Sequence, residues 1–243
     1  MKEVGIAATI LAVVGALSGQ QSKPIHANEN DGVLQGTVTY EDGKSVKGAT
    51  VYAQPLGRPM KGIVPHATTD EAGHFVISHL WLGKYAVGGE KLDEDYANMT
   101  NQFYSDGKFG TVVLSSRSPV ASVRVQLGPK AGILLGTVVD AVTNTGLNPC
   151  VEFRRAKNPS NFLSGTGLVK AKYRVLVPSN TDVFMRVWWG GHKSWYYPGA
   201  TNAQSRTLNL KPGEVMTIDI RLEPDPNAPE AGCGMPVGTV VNP

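Results

Sequence analysis

The sequence predicts an all-β protein made of two tandem antiparallel β-sandwiches. Three observations carry this. In the stretch 69–87, Phe75 and Ile77 alternate with His74, Val76 and Ser78, and Tyr85 and Val87 resume the pattern after Gly83. A period of two lines one face of a pleated strand. With 28 Gly and 16 Pro in 243 residues, the chain favours many turns over long helices. Finally, three segments recur in the same order, each about a hundred residues after its first copy, as tandem copies of one unit would.

Taken in order, the chain opens with Lys2 and an apolar run from Ile6 to Leu17. That run is short for a bilayer span and sits where an export signal belongs. Residues 1–27 are read as a signal peptide and the start of a linker, with cleavage after Ser18 or Ala27. A retained anchor or a first core helix is the other reading. No cysteine lies near the run, which argues against a bacterial lipid anchor. No later segment is apolar enough to span a membrane, so the mature chain is expected in the periplasm, at the cell surface or secreted. Residues 28–128 form the first unit. Leu34, Gly36, Val38 and Tyr40 share a face of its opening strand, and Ala49, Val51 and Ala53 make the next inward row. Pro55, Pro59 and Pro65 mark a loop or an edge excursion. Asp70 and Gly73 bracket a tight reversal in which Gly73 takes a positive φ. Glu90 to Ser105 reads as a long polar surface loop with the acidic cluster Asp93, Glu94 and Asp95. Val123 to Leu127 is an apolar closing strand.

The residues Thr69, Asp70, Gly73, Phe75, Ile77, Leu80, Gly83, Tyr85 and Val87 together resemble the signature of carboxypeptidase regulatory-like domains. The opening Gly36-Thr37-Val38, the turn Glu41 to Lys44 and Gly48-Ala49-Thr50-Val51 fit the same family pattern. The resemblance covers roughly residues 33–128. It implies a seven-stranded, immunoglobulin/transthyretin-like sandwich close in shape to the B-type repeats of bacterial adhesins, with a binding or accessory role. It implies no peptidase activity, since the catalytic metal-binding domain of carboxypeptidases is absent from this chain.

The repeat supplies the second unit, residues 129–224. Gly132 to Val139 echoes Gly32 to Thr39, Tyr196 to Gly199 echoes Phe103 to Asp106, and Met216 to Leu222 echoes Ala121 to Leu127. Tyr173, Val175 and Val177, then Val183, Met185 and Val187, alternate as strands. The unit diverges at Gly167 to Tyr173, where the expected turn signature is missing. The two units are expected to meet near Gly128 and Pro129 and to melt semi-independently. Residues 225–243 read as a disordered Pro-rich tail.

Several function classes are excluded or weakened. A formal charge of +3 with no basic run longer than two residues gives no nucleic-acid footprint. Neither a Gly-x-Ser-x-Gly elbow nor a His-Glu-x-x-His pair occurs, so no enzyme, catalytic residue or cofactor is expected. His66, His74 and His79 lie close in sequence to Asp70 and Glu71. However, His74 and His79 would face opposite sides of an uninterrupted strand, and no metal site is expected. Cys150 and Cys233 are the only cysteines; they either pair, stapling the tail to the second unit, or leave one buried and one loose thiol. The remaining candidate is aromatic: Trp188, Trp189, Trp195, Tyr196 and Tyr197 surround two glycines, with Trp188 outward by parity. These rings either cap the sandwich or form a ligand surface that stacks on sugars. The expectation is a non-enzymatic exported bacterial protein whose partner is a polysaccharide or a cell-surface protein, with a structural spacer or protein–protein module as the alternative.

Overall fold

The computed structural model describes residues 31–59, 62–165, 171–199 and 205–228. The proposed signal, both cleavage points, residues 167–170 of the divergent stretch 167–173 and Cys233 lie outside these residues. Among the described residues the period-two segments form fifteen strands: β1 Gly32–Thr39, β2 Thr50–Pro55, β3 His66–Thr68, β4 His74–Leu80, β5 Gly83–Glu90, β6 Gly110–Leu114 and β7 Val120–Gln126, then β8 Gly132–Asp140, β9 Cys150–Arg155, β10 Phe162–Gly165, β11 Lys172–Val177, β12 Val183–Trp188, β13 Trp195–Tyr196, β14 Val215–Thr217 and β15 Ile220–Leu222. Helix among the described residues is limited to a 3-10 turn, Leu92–Glu94, and one short helix, α1, Gln102–Ser105. No helix among the described residues is long and apolar enough to cross a membrane.

Sheet β4-β1-β7 packs on sheet β3-β2-β5-β6, and β11-β8-β14, with β15 also on β8, packs on β10-β9-β12-β13. The second pair repeats the first strand for strand, except that its closing strand is split into β14 and β15. One feature departs from a purely antiparallel sandwich: β7 runs parallel to β1, and β14 and β15 run parallel to β8. The repeated glycines mark this pairing. A Cβ on Gly36 would lie 1.8 Å from the Val123 carbonyl oxygen, and one on Gly136 would lie 2.0 Å from that of Ile218. Each glycine stands where the parallel partner's backbone presses closest.

Two cores follow. Leu34, Val38, Phe75, Ile77, Val51 and Tyr85 bury in the first; Leu134, Val138, Phe153, Tyr173, Met185 and Ile220 bury in the second. The reversal before β4 forms as expected. Gly73 has φ 78°, and the Asp70 carboxylate accepts from the Ala72 and His74 N–H groups at 2.9 and 2.8 Å. These N–H groups, His74 first, hold the Asp70 carboxyl below its ordinary range. Gly73 is also tightly packed, because an added Cβ would meet the Val38 carbonyl oxygen at 2.8 Å. His79 interrupts β4 as a bulge, with φ 57° and a register shift against β1. The parity argument for His74 and His79 therefore does not apply, and both side chains are exposed.

The connection 91–109 differs from the polar surface loop read in the sequence. It folds over the outer face of β5, where Ala86 and Gly88 are buried and Thr100 packs on Gly88. It then inserts into the second core. Phe103 is fully buried there, its ring 6.4 Å from Phe153. The Tyr104 hydroxyl donates to the Leu176 carbonyl at 3.1 Å, and Arg155 donates to the Phe103 carbonyl at 2.8 Å. Asp106 accepts from Asn161 at 2.7 Å, Asp95 pairs with Arg174, and the Ala131 N–H donates to the Asp95 carbonyl at 2.8 Å. The two sandwiches thus share a packed junction, which opposes independent melting. The echo between Phe103 to Asp106 and Tyr196 to Gly199 is not structural: the first lies on α1, the second on and after β13.

Candidate ligand-binding face

Alternation along β12 sets the geometry. Val183, Met185 and Val187 point into the core and are buried, so Phe184, Arg186 and Trp188 project from the outer face. On neighbouring β9, Val151 and Phe153 are inward and Glu152 and Arg154 outward. Register then assembles cross-strand rows: Phe162, Arg154 and Phe184 in one, Glu152, Arg186 and Tyr196 in the next. The cations lie over rings. Arg154 sits 5.1 Å from the Phe162 centroid, and Arg186 sits 4.8 Å from Trp188 and 5.7 Å from Tyr196. Arg154 also pairs with Glu152. Arg186 donates to the Ser194 hydroxyl at 3.2 Å, and its buried Nε has no hydrogen-bond partner among the described residues.

Arg186 is shared by two clefts. One, of about 300 Å³, is lined by Glu152, Arg154, Phe184 and Tyr196 beside it. The other, of about 590 Å³, adds Trp188, Trp189, His192, Lys193 and Asp225. The hairpin 189–194 that frames the larger cleft is pinned. The His192 ring nitrogens face the Gly190 carbonyl at 3.0 Å and the Asp140 carboxylate at 2.8 Å. Asp140 also accepts from the Val142 and Thr143 N–H groups. Thr143 first, with His192 next, holds its carboxyl well below the usual range. Lys193 pairs with Glu223 at 2.8 Å, and the Asp225 N–H donates to the Gly191 carbonyl at 2.7 Å. The start of the segment read as a disordered tail is therefore tied to the hairpin.

The same sheet in the first sandwich is covered by its long connection 91–109, whereas in the second the connection is only 189–194 and leaves Phe162, Phe184 and Trp189 exposed. The five aromatic residues singled out in the sequence divide accordingly. Trp188 and Tyr196 lie on the outer face and Trp189 at its edge. Trp195 and Tyr197 pack against the second core, their rings edge-on at 6.5 Å. Sequence reasoning missed Arg154, Arg186, Glu152, Phe162 and Phe184, although the period of two along β9 and β12 places four of them outward.

Other candidates disperse. Glu94 accepts from the Tyr40 hydroxyl at 2.7 Å, Asp93 pairs with Lys91 at 2.6 Å, and Asp95 pairs with Arg174, so the acidic cluster is engaged internally. Among the described residues no group of three or more His, Cys, Asp or Glu side chains is arranged to hold a metal ion. Cys150 is fully buried at the start of β9, opposite Trp188; its proposed partner Cys233 lies outside the described residues.

No family model and no curated protein matches the chain. Solved structures overlap it weakly. The Bacillus anthracis TIE protein is 16% identical over 80% of this chain, with a TM-score of 0.31, and the chain spans about a third (34%) of that protein's length. The Streptococcal ancillary pilin is 14% identical over 82% of this chain and 63% of its own, at a TM-score of 0.29. The shaft pilin SpaA from Lactobacillus rhamnosus GG is 10% identical over 80% of this chain and 98% of its own, at 0.32. At such scores these overlaps assign neither family nor function. The site must speak for itself.

Proposed function

We propose that this chain is a non-catalytic, exported module of the bacterial surface or periplasm that recognises carbohydrate. Its units are the tandem carboxypeptidase regulatory-like sandwiches 28–128 and 129–224, preceded by a signal peptide and followed by a tail that Cys150 and Cys233 staple to the second unit. The observation that carries the binding role is the outer face of β12 and β13, which no other described residue covers. There Trp188 and Tyr196 flank Arg186, with Trp189 alongside. Ring faces of this kind offer an apolar platform to the C–H groups of a pyranose, while Arg and Glu side chains bond its hydroxyls. A glycan array probed with the mature protein tests this reading: retention on polysaccharides supports it, and a blank array refutes it. Labelling of free thiols in the unfolded, non-reduced protein tests the staple, with no label expected.

A structural spacer is the second reading, favoured by the packed junction at Phe103, Tyr104 and Asp106. It predicts a stiff two-domain particle that binds no glycan.

A further inference from the structure

Resting on the carbohydrate reading, we infer that the ligand is an acidic saccharide whose anionic group is received by Arg186. The argument begins with the neighbouring charges. Arg154 is paired with Glu152 and Lys193 with Glu223. Among the described residues Arg186 has no carboxylate partner. Asp225 lines the same cleft, but its carboxylate accepts from the Asn227 N–H at 3.0 Å. Among the described residues Arg186 therefore has one acceptor, the Ser194 hydroxyl at 3.2 Å, and its buried Nε has none. A guanidinium presents its donors as a planar fork that matches a carboxylate or sulfate.

Geometry adds the saccharide. The Arg186 guanidinium is held against the Trp188 and Tyr196 rings at 4.8 and 5.7 Å. It borders both clefts, so a sugar ring stacked in either can bring a substituent to it. A neutral glycan could use the rings but would leave the fork without its anion. An acidic peptide could use the fork but has no flat aliphatic face for the rings.

Affinity electrophoresis of the mature protein tests this with four polymers: polygalacturonate, dextran sulfate, unmodified dextran and poly-L-glutamate. The inference predicts retardation by polygalacturonate, dextran sulfate or both, with dextran and poly-L-glutamate clearly weaker. The stronger of the first two identifies the anion as carboxylate or sulfate. Arg186→Met should weaken that retardation about tenfold or more, while Arg186→Lys should recover part of it. Should Arg186→Met lower the melting temperature, Ser194→Ala, which removes only the competing acceptor, must retain or strengthen binding. Equal retardation by dextran and polygalacturonate, unmoved by Arg186→Met, overturns the inference and leaves carbohydrate recognition standing. Retardation by poly-L-glutamate matching that by polygalacturonate also overturns it. If no saccharide in this assay or on the array retards the protein, the carbohydrate reading falls with it.

Discussion

Replacing Phe103 by Ala removes a ring that belongs by sequence to the first sandwich and by packing to the second. The side chain is fully buried against Phe153 and the second core. Truncating a fully buried Phe costs about 3–5 kcal/mol, the lost transfer energy plus the residual cavity. For a domain of this size the urea m-value is about 1.5 kcal/mol/M, so the midpoint should fall by roughly 2–3 M. The effect should appear in the second sandwich. Of the four tryptophans, Trp188, Trp189 and Trp195 report on it, and only Trp81 lies in the first. In a Trp81→Phe background, fluorescence-monitored unfolding isolates that signal. A Phe103→Leu control, which leaves most of the volume, should shift it far less. If Phe103→Ala leaves the fluorescence midpoint in place, Phe103 is not part of the second core and the shared junction is wrong.

Three further outcomes follow from the same geometry. Gly73→Val should cost on the order of 1–3 kcal/mol from its positive φ, and the 2.8 Å approach of Val38 puts it at the upper end of that range in thermal unfolding. Glu90 is half-buried where it accepts from the Tyr52 hydroxyl at 2.6 Å, and the loss of solvent there raises its carboxyl above its ordinary range. The native state then holds this proton to higher pH than the unfolded chain does, so the residue costs stability as pH rises through the folded value. Glu90→Gln keeps the acceptor and should raise the melting temperature at neutral pH, with no gain near pH 3; an equal gain at both would refute the burial argument. Gly136→Ala should destabilise the second sandwich strongly, because its Cβ would lie 2.0 Å from the Ile218 carbonyl oxygen; a neutral melting temperature would mean the parallel closing strand is misplaced.

Much of the fold was legible because inward rows such as Val183, Met185 and Val187 are written directly as alternation. The turn at Asp70 and Gly73 was legible for a related reason, since few residues tolerate its backbone. What could not be read depends on partners distant in sequence. Nothing local to Val120 to Gln126 says that this strand runs parallel to β1, although the repeated Gly36 and Gly136 record the close approach that results. Phe103 and Tyr104 are two aromatics in a polar stretch without periodicity, so only the second core reveals their use. At the site, Trp188 was placed outward by parity. The same parity holds for Phe184, Arg186, Glu152 and Arg154, whereas the dense aromatic run also contains Trp195 and Tyr197, which the fold turns inward.

That division between outward and inward rings gives the most direct test of the central claim. Trp188→Ala and Trp195→Ala are compared with the wild type for melting temperature and for retention on the polysaccharide that binds best on the array. The account predicts that Trp188→Ala melts like the wild type and loses retention, whereas Trp195→Ala melts several degrees lower because its ring packs on the second core. A Trp188→Ala protein that is fully stable and still retained like the wild type would contradict the claim that this face recognises carbohydrate.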